Sequence, residues 1–138
     1  MKTTVFDPLR RKEVPLTPEE DVRQQLIRWL NSDRGVPMTL MASEYSLSLN
    51  KMNIRADIVV FDKEGNPLFV IECKAPSVKL DQEVVDQVVR YNIVLKSKYL
   101  MITNGNESIL FKYNGESGKY ECVDDVPEYN QMIDGSCE

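Results

Sequence analysis

Apolar side chains recur at three- and four-residue steps in two stretches of the chain, the spacing of one face of an α-helix. The first stretch begins with Thr-Pro-Glu-Glu at residues 17–20, a capping box with proline at the first helical position, and runs to about Leu30. The second covers residues 81–96. Gln87 falls on the apolar stripe of this second helix one turn before Tyr91, and a glutamine that faces a core needs a polar partner.

Strand patterns occupy the stretches on either side of the second helix. Residues 55–62 and 67–74 are apolar on both faces, which is typical of strands covered on both sides. Further strands are predicted at residues 37–50, 99–103, 108–113 and, as an edge strand, 119–123. The order α-β-β-β-α-β-β predicts an α/β (α+β) domain in which helices flank a mixed β-sheet.

One domain accounts for the length of 138 residues. We expect it to occupy residues 17–126, after an extended arm at residues 1–16 and before a polar, acidic tail at residues 127–138. The chain starts without an apolar signal core, and no stretch approaches the roughly 20 apolar residues that cross a bilayer. A cytoplasmic location is therefore expected.

Composition excludes several kinds of chemistry. The chain has no histidine, which rules out Ser-His-Asp and Cys-His catalysis and histidine-ligated zinc. The cysteines are three in number and form no Cys-x-x-Cys pair, so reduced thiols are expected. A net charge of −5 argues against strong autonomous binding of nucleic acid, although it leaves room for a local basic surface or a basic partner. Carboxylates, lysine, tyrosine or a bound metal must supply any catalysis.

Charged residues at one end of the two middle strands are the main candidates. If the turn at residues 63–66 closes an antiparallel hairpin, Asp57 faces Glu72 and the two carboxylates repel. Lys74 then lies on the same face as Glu72, and Cys73 points to the other face. A divalent cation would relieve the repulsion, and oxygen ligands suit Mg²⁺.

The register of this hairpin depends on its turn. The register above also pairs Asp62 with Pro67. A loop made of residues 65–66 would place Asp57 opposite Lys74, which keeps the charges together. A slip by one residue would move Asp57 away from both charges and destroy the cluster.

The order of these residues resembles the PD-(D/E)XK nuclease superfamily, in which an aspartate on one strand precedes Glu-x-Lys at the end of the next. Asp57 and residues 72–74 supply the pattern here, with Ala56 in place of the usual proline. Gln87 and Tyr91 resemble the Gln-x-x-x-Tyr element of the RecB-like branch. Over roughly residues 15–115 the closest resemblance is to the N-terminal nuclease domain of type I restriction enzyme R subunits, supported also by residues 17–24, 71–76 and 102–105.

The resemblance implies a restriction-endonuclease-like fold and metal-dependent hydrolysis of DNA phosphodiester bonds. Asp57 and Glu72 would hold Mg²⁺, with Mn²⁺ as a substitute, and the backbone carbonyl of Cys73 would add an oxygen ligand. Lys74 would position the attacking water, help to deprotonate it, or offset charge in the transition state.

Other residues take supporting roles in this interpretation. Glu19, on the first helix, would reach the same site. Gln87 and Tyr91 would support the site or contact the DNA backbone, and Arg55 and Lys79 are candidate phosphate contacts.

The chain contains no Gly-x-x-x-x-Gly-Lys-Ser/Thr loop, so we expect it to act on DNA alone, as a homodimer, or with a motor subunit, a specificity subunit or another DNA-binding partner. Two other functions stay open. One is a non-catalytic nucleic-acid-binding or assembly module that retains the nuclease fold, and the other is a small α/β protein with a charged cleft for a small ligand. A purely structural interpretation of the residues also stays open, in which Glu72 and Lys74 form a simple ion pair beside a solvated Asp57 and Tyr91 is a core aromatic.

Overall fold

A six-stranded mixed sheet lies between two helices. The computed structural model describes residues 3–49 and 51–134. Its helices are Pro18–Arg34 (α1), Gln82–Leu95 (α2) and Tyr129–Asp134 (α3). Its strands are Thr4–Asp7 (β1), Lys12–Pro15 (β2), Met41–Leu49 (β3), Met52–Phe61 (β4), Pro67–Cys73 (β5), Tyr99–Thr103 (β6), Ser108–Asn114 (β7) and Lys119–Val123 (β8).

The sheet order is β3-β4-β5-β6-β7-β8, with β5 and β6 parallel and the other neighbours antiparallel. The parallel pair needs a crossover connection, which α2 provides. This arrangement confirms the predicted α/β (α+β) class with a mixed sheet and flanking helices. None of the helices in the described part of the chain has the length and apolar content that crossing a bilayer requires.

Side chains of alternating direction divide the core between the two faces of the sheet. Ile71 on β5 packs in the same cluster as Ile27 and Leu30 of α1. Its neighbour Val70 packs in the opposite cluster, with Val88 of α2. Both faces of the central strands are therefore covered, which explains why they are apolar at consecutive positions.

Capping residues set the ends of the helices. Thr17 accepts a hydrogen bond from the backbone N–H of Glu20 at 3.0 Å, as predicted for the start of α1. The helix continues past the expected end near Leu30 to Arg34, because Gly35 is the residue that adopts the left-handed conformation, with φ of 68°. Asp81 caps α2.

The segments expected to be an arm and a tail are folded instead. β1 and β2 pair as an antiparallel hairpin within the predicted arm. The predicted polar tail contains α3, whose Tyr129 and Met132 are buried in the core under α1. These two apolar residues lie one helical turn apart, a signal too short to stand out from their polar neighbours. The first part of the predicted strand at residues 37–50 is a 3₁₀ turn, Met38–Leu40.

The β4–β5 hairpin has the predicted register along most of its length. Ile58 pairs with Ile71 and Val59 with Val70. The register shifts after Val60, and the predicted pairing of Asp62 with Pro67 is wrong. The Asp62 carboxylate accepts hydrogen bonds from the backbone N–H groups of residues 64 and 66, each at 2.9 Å, so Asp62 belongs to the turn rather than to the strand.

Candidate active site

The carboxyl groups of Asp57 and Glu72 converge beyond the last pair of the β4–β5 ladder. The Ile58–Ile71 pair ends that ladder, and Asp57 and Glu72 are the next residues on the two strands. Asp57 Oδ2 accepts a hydrogen bond from the backbone N–H of Cys73 at 2.7 Å, and the Glu72 side chain is hydrogen-bonded to that of Asp57. The structure therefore places together the two carboxyl groups that the sequence singled out.

Electrostatic repulsion and burial act on the Glu72 carboxyl. Burial is the largest cause and, with the hydrogen bond to Asp57 and the charges of Asp57 and Glu19, raises the pKa of Glu72 to about 9, while Lys74 acts in the opposite direction. Lys74 and Glu19 are thus both close enough to influence Glu72, and their catalytic roles stay predictions.

The backbone fixes the position of Lys74. Its N–H donates to the carbonyl of Thr103 at 2.8 Å, which continues the contact between β5 and β6 past the end of β5. Glu19 lies on the first turn of α1, and its carboxylate is 3.6 Å from Arg23 Nη2. With 46% of its side chain exposed, Glu19 remains accessible from solvent.

A buried arginine that the sequence did not reveal joins this cluster. Arg23 Nη2 is 3.0 Å from Asp57 Oδ1, and its Nη1 is 3.0 Å from a carboxylate oxygen of both Glu20 and Glu44. Only 4% of its side chain is exposed. The spacing of Arg23 from Glu20 predicts no more than an exposed pair along the helix, because the contact with a strand depends on how α1 packs.

Glu20 has a different role from the predicted one. Its side chain was assigned to the capping box, but it accepts hydrogen bonds from Arg10 at 2.7 Å, from Arg23 at 3.0 Å and from Gln24 at 2.9 Å. Arg10 in turn pairs with the fully buried Asp7. Glu20 therefore links the N-terminal hairpin to α1 and is fully occupied by structural contacts.

The other predicted residues lie on β4, on α2 and in the connection between β5 and α2. Arg55 is 68% exposed at its side chain and forms an ion pair with Glu44. Lys79 is exposed in the connection between β5 and α2. The backbone of Tyr91 lies in α2, but its side chain is outside the described residues.

The prediction that Gln87 faces the core is wrong, because its side chain is exposed on α2. The buried polar residue of this helix is Asn92, which donates hydrogen bonds to Ser97 Oγ at 2.8 Å and to Tyr120 Oη at 2.9 Å. Gln87 and Asn92 lie on different faces of the helix, and the spacing of the apolar residues predicted the wrong one of the two to be buried.

The two carboxyl groups suit a hard divalent cation. Within residues 3–49 and 51–134 no three Asp, Glu or Cys side chains form a ready-made metal site. Mg²⁺, however, usually binds through one or two carboxylates and keeps several waters. Asp57 and Glu72 supply that number, and a bound cation would offset the burial and the neighbouring charges that raise the pKa of Glu72. The Cys73 N–H contacts Asp57, and ligation by its carbonyl stays a prediction.

A cleft of about 570 Å³ opens next to this cluster. One wall is formed by β2 and the start of α1, and the other includes Glu44 and Ala75. Because Glu19 and Arg23 also line the cleft, a ligand entering it would reach the charged cluster from the side of the N-terminal hairpin.

Sequence and fold both match known proteins. Residues 18–127 match the family described as type I restriction enzyme R protein N terminus (HSDR_N). Uncharacterized protein L3 of Acanthamoeba polyphaga mimivirus is 36% identical over 117 residues, which are 83% of this chain and 17% of that protein. A fragment attributed to the HsdR subunit of a type I restriction enzyme from Vibrio vulnificus YJ016 has a TM-score of 0.62 and 17% identity, covering 88% of this chain and 25% of that one.

The two relatives support different statements. The low identity to the Vibrio fragment supports a common fold alone, and the chain spans a quarter or less of the length of either relative. The family match extends over most of the chain and includes both strands of the carboxyl pair. The chain belongs to the family of type I restriction enzyme R protein N termini.

Proposed function

We propose that this domain hydrolyses phosphodiester bonds of DNA in a reaction that depends on a divalent metal ion. The observation that supports this most strongly is the convergence of the Asp57 and Glu72 carboxyls, with Lys74 close enough to influence Glu72. Neighbouring carboxylates repel each other and destabilise a fold unless a cation pairs with them. A cluster of two carboxylates and a lysine is therefore often a catalytic or metal-binding site. Membership of the R protein family agrees with this use.

In this proposal Asp57 and Glu72 would hold Mg²⁺ or Mn²⁺, with the Cys73 carbonyl as a third protein ligand. The ion would lower the pKa of a water molecule and stabilise charge on the scissile phosphate. Lys74 would hold the attacking water or offset the charge that develops in the transition state. Glu19, accessible at the mouth of the cleft, would accept a hydrogen bond from that water.

Arg23 would act by orienting Asp57. The two Asp57 oxygens each accept one hydrogen bond, from Arg23 and from the Cys73 N–H. A carboxylate oxygen has two lone pairs, so Asp57 can still bind a cation that displaces the proton of its hydrogen bond with Glu72. The carboxylate is thus fixed in place and still able to bind a metal ion.

The test is cleavage of plasmid and single-stranded DNA with Mg²⁺ or Mn²⁺ by wild type, Glu72→Ala and Lys74→Ala. Lys63→Ala, in the exposed turn of the same hairpin, is the matched control. We expect metal-dependent cleavage that both site substitutions abolish and the control retains. Cleavage by the wild type that survives Glu72→Ala would refute the assignment of the site.

A second function, a non-catalytic nucleic-acid-binding or assembly module, is favoured by one observation. Arg23 already pairs with Asp57, and the raised pKa of Glu72 lowers the negative charge beside it without a cation. If the contacts of Asp57 and Glu72 only stabilise the fold, the wild type should neither cleave DNA nor gain thermal stability from Mg²⁺. A motor subunit, a specificity subunit or a second copy of the chain is the proposed partner in either case, and metal binding without cleavage would indicate that such a partner is required.

A further inference from the structure

A groove runs along the side of α2 that faces β7 and β8, two strands and more away from the carboxyl pair. It has a volume of about 630 Å³, within the range of ligand-binding pockets. Its lining extends from Gln82 at the start of α2 to Lys96 just after its end, a distance of about 21 Å at ~1.5 Å per helical residue. The groove therefore has the length of an extended ligand rather than of a single small molecule.

Positive charge dominates the groove. Arg90, Lys96 and Lys119 line it, and none of the three forms an ion pair within the part of the chain that the structure describes. Its one carboxylate, Asp86, is held by a hydrogen bond from Gln82 Nε2 at 2.7 Å. This local excess of cations contrasts with the net charge of −5 for the whole chain, and it favours an anionic ligand in the groove.

Aromatic rings form the other wall. Tyr113 is 44% exposed, and its ring meets the Tyr120 ring edge to face at 5.4 Å between centroids. Tyr120 Oη donates to the carbonyl of Ser97 and accepts a hydrogen bond from Asn92, so its ring orientation is fixed by buried partners. The Tyr113 ring thus rests on an immobile neighbour and presents an open surface for stacking.

We propose that this groove binds a single strand of DNA, with phosphates on Arg90, Lys96 and Lys119 and a base stacked on Tyr113. Sites for single strands combine a cationic track with aromatic platforms, and both are present here. An acidic peptide would satisfy the charges but would leave the exposed tyrosine unused. The choice of DNA as the ligand rests on the proposed function, but binding in the groove requires neither metal nor catalysis.

The experiment measures binding of a fluorescein-labelled oligothymidylate to the full chain by anisotropy, at low salt with EDTA present. The test variant combines Lys96→Glu and Lys119→Glu, and the control combines Arg28→Glu on α1 and Lys63→Glu in the β4–β5 turn, an identical change of charge at exposed positions outside the groove. We expect the test variant to weaken binding roughly tenfold or more and to flatten the plot of log K against log salt by about 1.4, and the control to do neither.

Stacking is tested separately, with Tyr113→Ala expected to weaken binding roughly tenfold and Tyr113→Phe to retain it. Equal losses in the test and control pairs would overturn the proposal, as would full competition by polyglutamate of the same length, which would mark the groove as a site for acidic peptides. If the groove variants bind and cleave DNA as well as wild type does, the proposed binding role of the groove is refuted and the proposed nuclease function is not. Groove-dependent binding without any metal-dependent cleavage would instead refute the proposed function and support the groove.

Discussion

Arg23 Nη2 and Asp57 Oδ1 lie 3.0 Å apart and join α1 to β4 inside the protein. Glu19, Glu20 and Glu44 contact the same guanidinium, so one cation pairs with four carboxylates from three elements. A buried charge contributes little when paired but costs much when its partner is removed. The contact between Arg23 and Asp57 is therefore a requirement for the shape of the candidate site as well as for the fold.

Replacing Arg23 by alanine should destabilise the protein by roughly 3–5 kcal/mol, because carboxylates remain buried without their cation. Urea unfolding followed by circular dichroism measures this change. Arg28→Ala on the exposed face of the same helix should stay within about 0.5 kcal/mol of wild type. Equal effects of the two substitutions would mean that Arg23 is a surface residue in solution.

Glu72→Gln keeps the shape of the side chain but removes one anionic ligand. In wild type, Mg²⁺ at a hundredfold excess over its Kd should raise the free energy of unfolding by about 2.7 kcal/mol. In the variant this gain should largely vanish, and DNA cleavage with it. Thermal unfolding with and without Mg²⁺ is the measurement, with Glu64→Gln in the exposed turn as control. A gain of the same size in Glu72→Gln would place the metal elsewhere.

Acid should weaken the N-terminal hairpin through Asp7. Burial alone would raise its pKa, but hydrogen bonds from Arg10 and from the Leu9 N–H, with the charge of Arg10, hold the pKa below its usual 3.8. A depressed carboxyl pKa adds stability above the unfolded value, and that stability is lost as the pH falls below about 3.8 through the folded pKa.

Unfolding of Asp7→Asn should accordingly differ most from wild type near neutral pH and converge with it in acid. Urea titrations at pH 7, 4 and 2.5 measure the difference. Asp33→Asn, at an exposed position of α1, should show no such convergence. A deficit for Asp7→Asn that is constant across this range would exclude the charge of Asp7 as its source.

Gly105 follows β6 in a conformation that disfavours any other residue. Its φ is +89°, and an added Cβ would lie 3.2 Å from Val22 Cγ2 on α1. Gly105→Ala should therefore cost about 1–2 kcal/mol from the backbone, with a further contribution from the contact. Gly115→Ala meets no atom within 4 Å and is the control, and similar stability of the two variants would contradict the close approach of α1.

Local patterns predicted the parts of the site that lie on two adjacent strands. The apolar runs and the turn between them determine the register, and the register brings Asp57 to Glu72. Arg23 could not be found this way, because only the packing of α1 on the sheet brings it to Asp57. Gln87 and Asn92 show what hydrophobic periodicity cannot predict. Either amide on α2 could have been the buried one, and Asn92 is buried with its partner Ser97, which lies beyond the end of the helix.

The packing of α3 in the core determines where the boundaries of a stable fragment can lie. The family match stops at residues 18 and 127, but Arg10 donates to Glu20 from before it, and Tyr129 Oη donates to the Phe61 carbonyl at 2.7 Å from beyond it. A fragment trimmed to the match would expose the surface that Tyr129 and Met132 cover and remove one arginine from Glu20. The family match therefore covers a shorter segment of this chain than the one that packs together, and a fragment for expression is better cut outside the hairpin and outside α3.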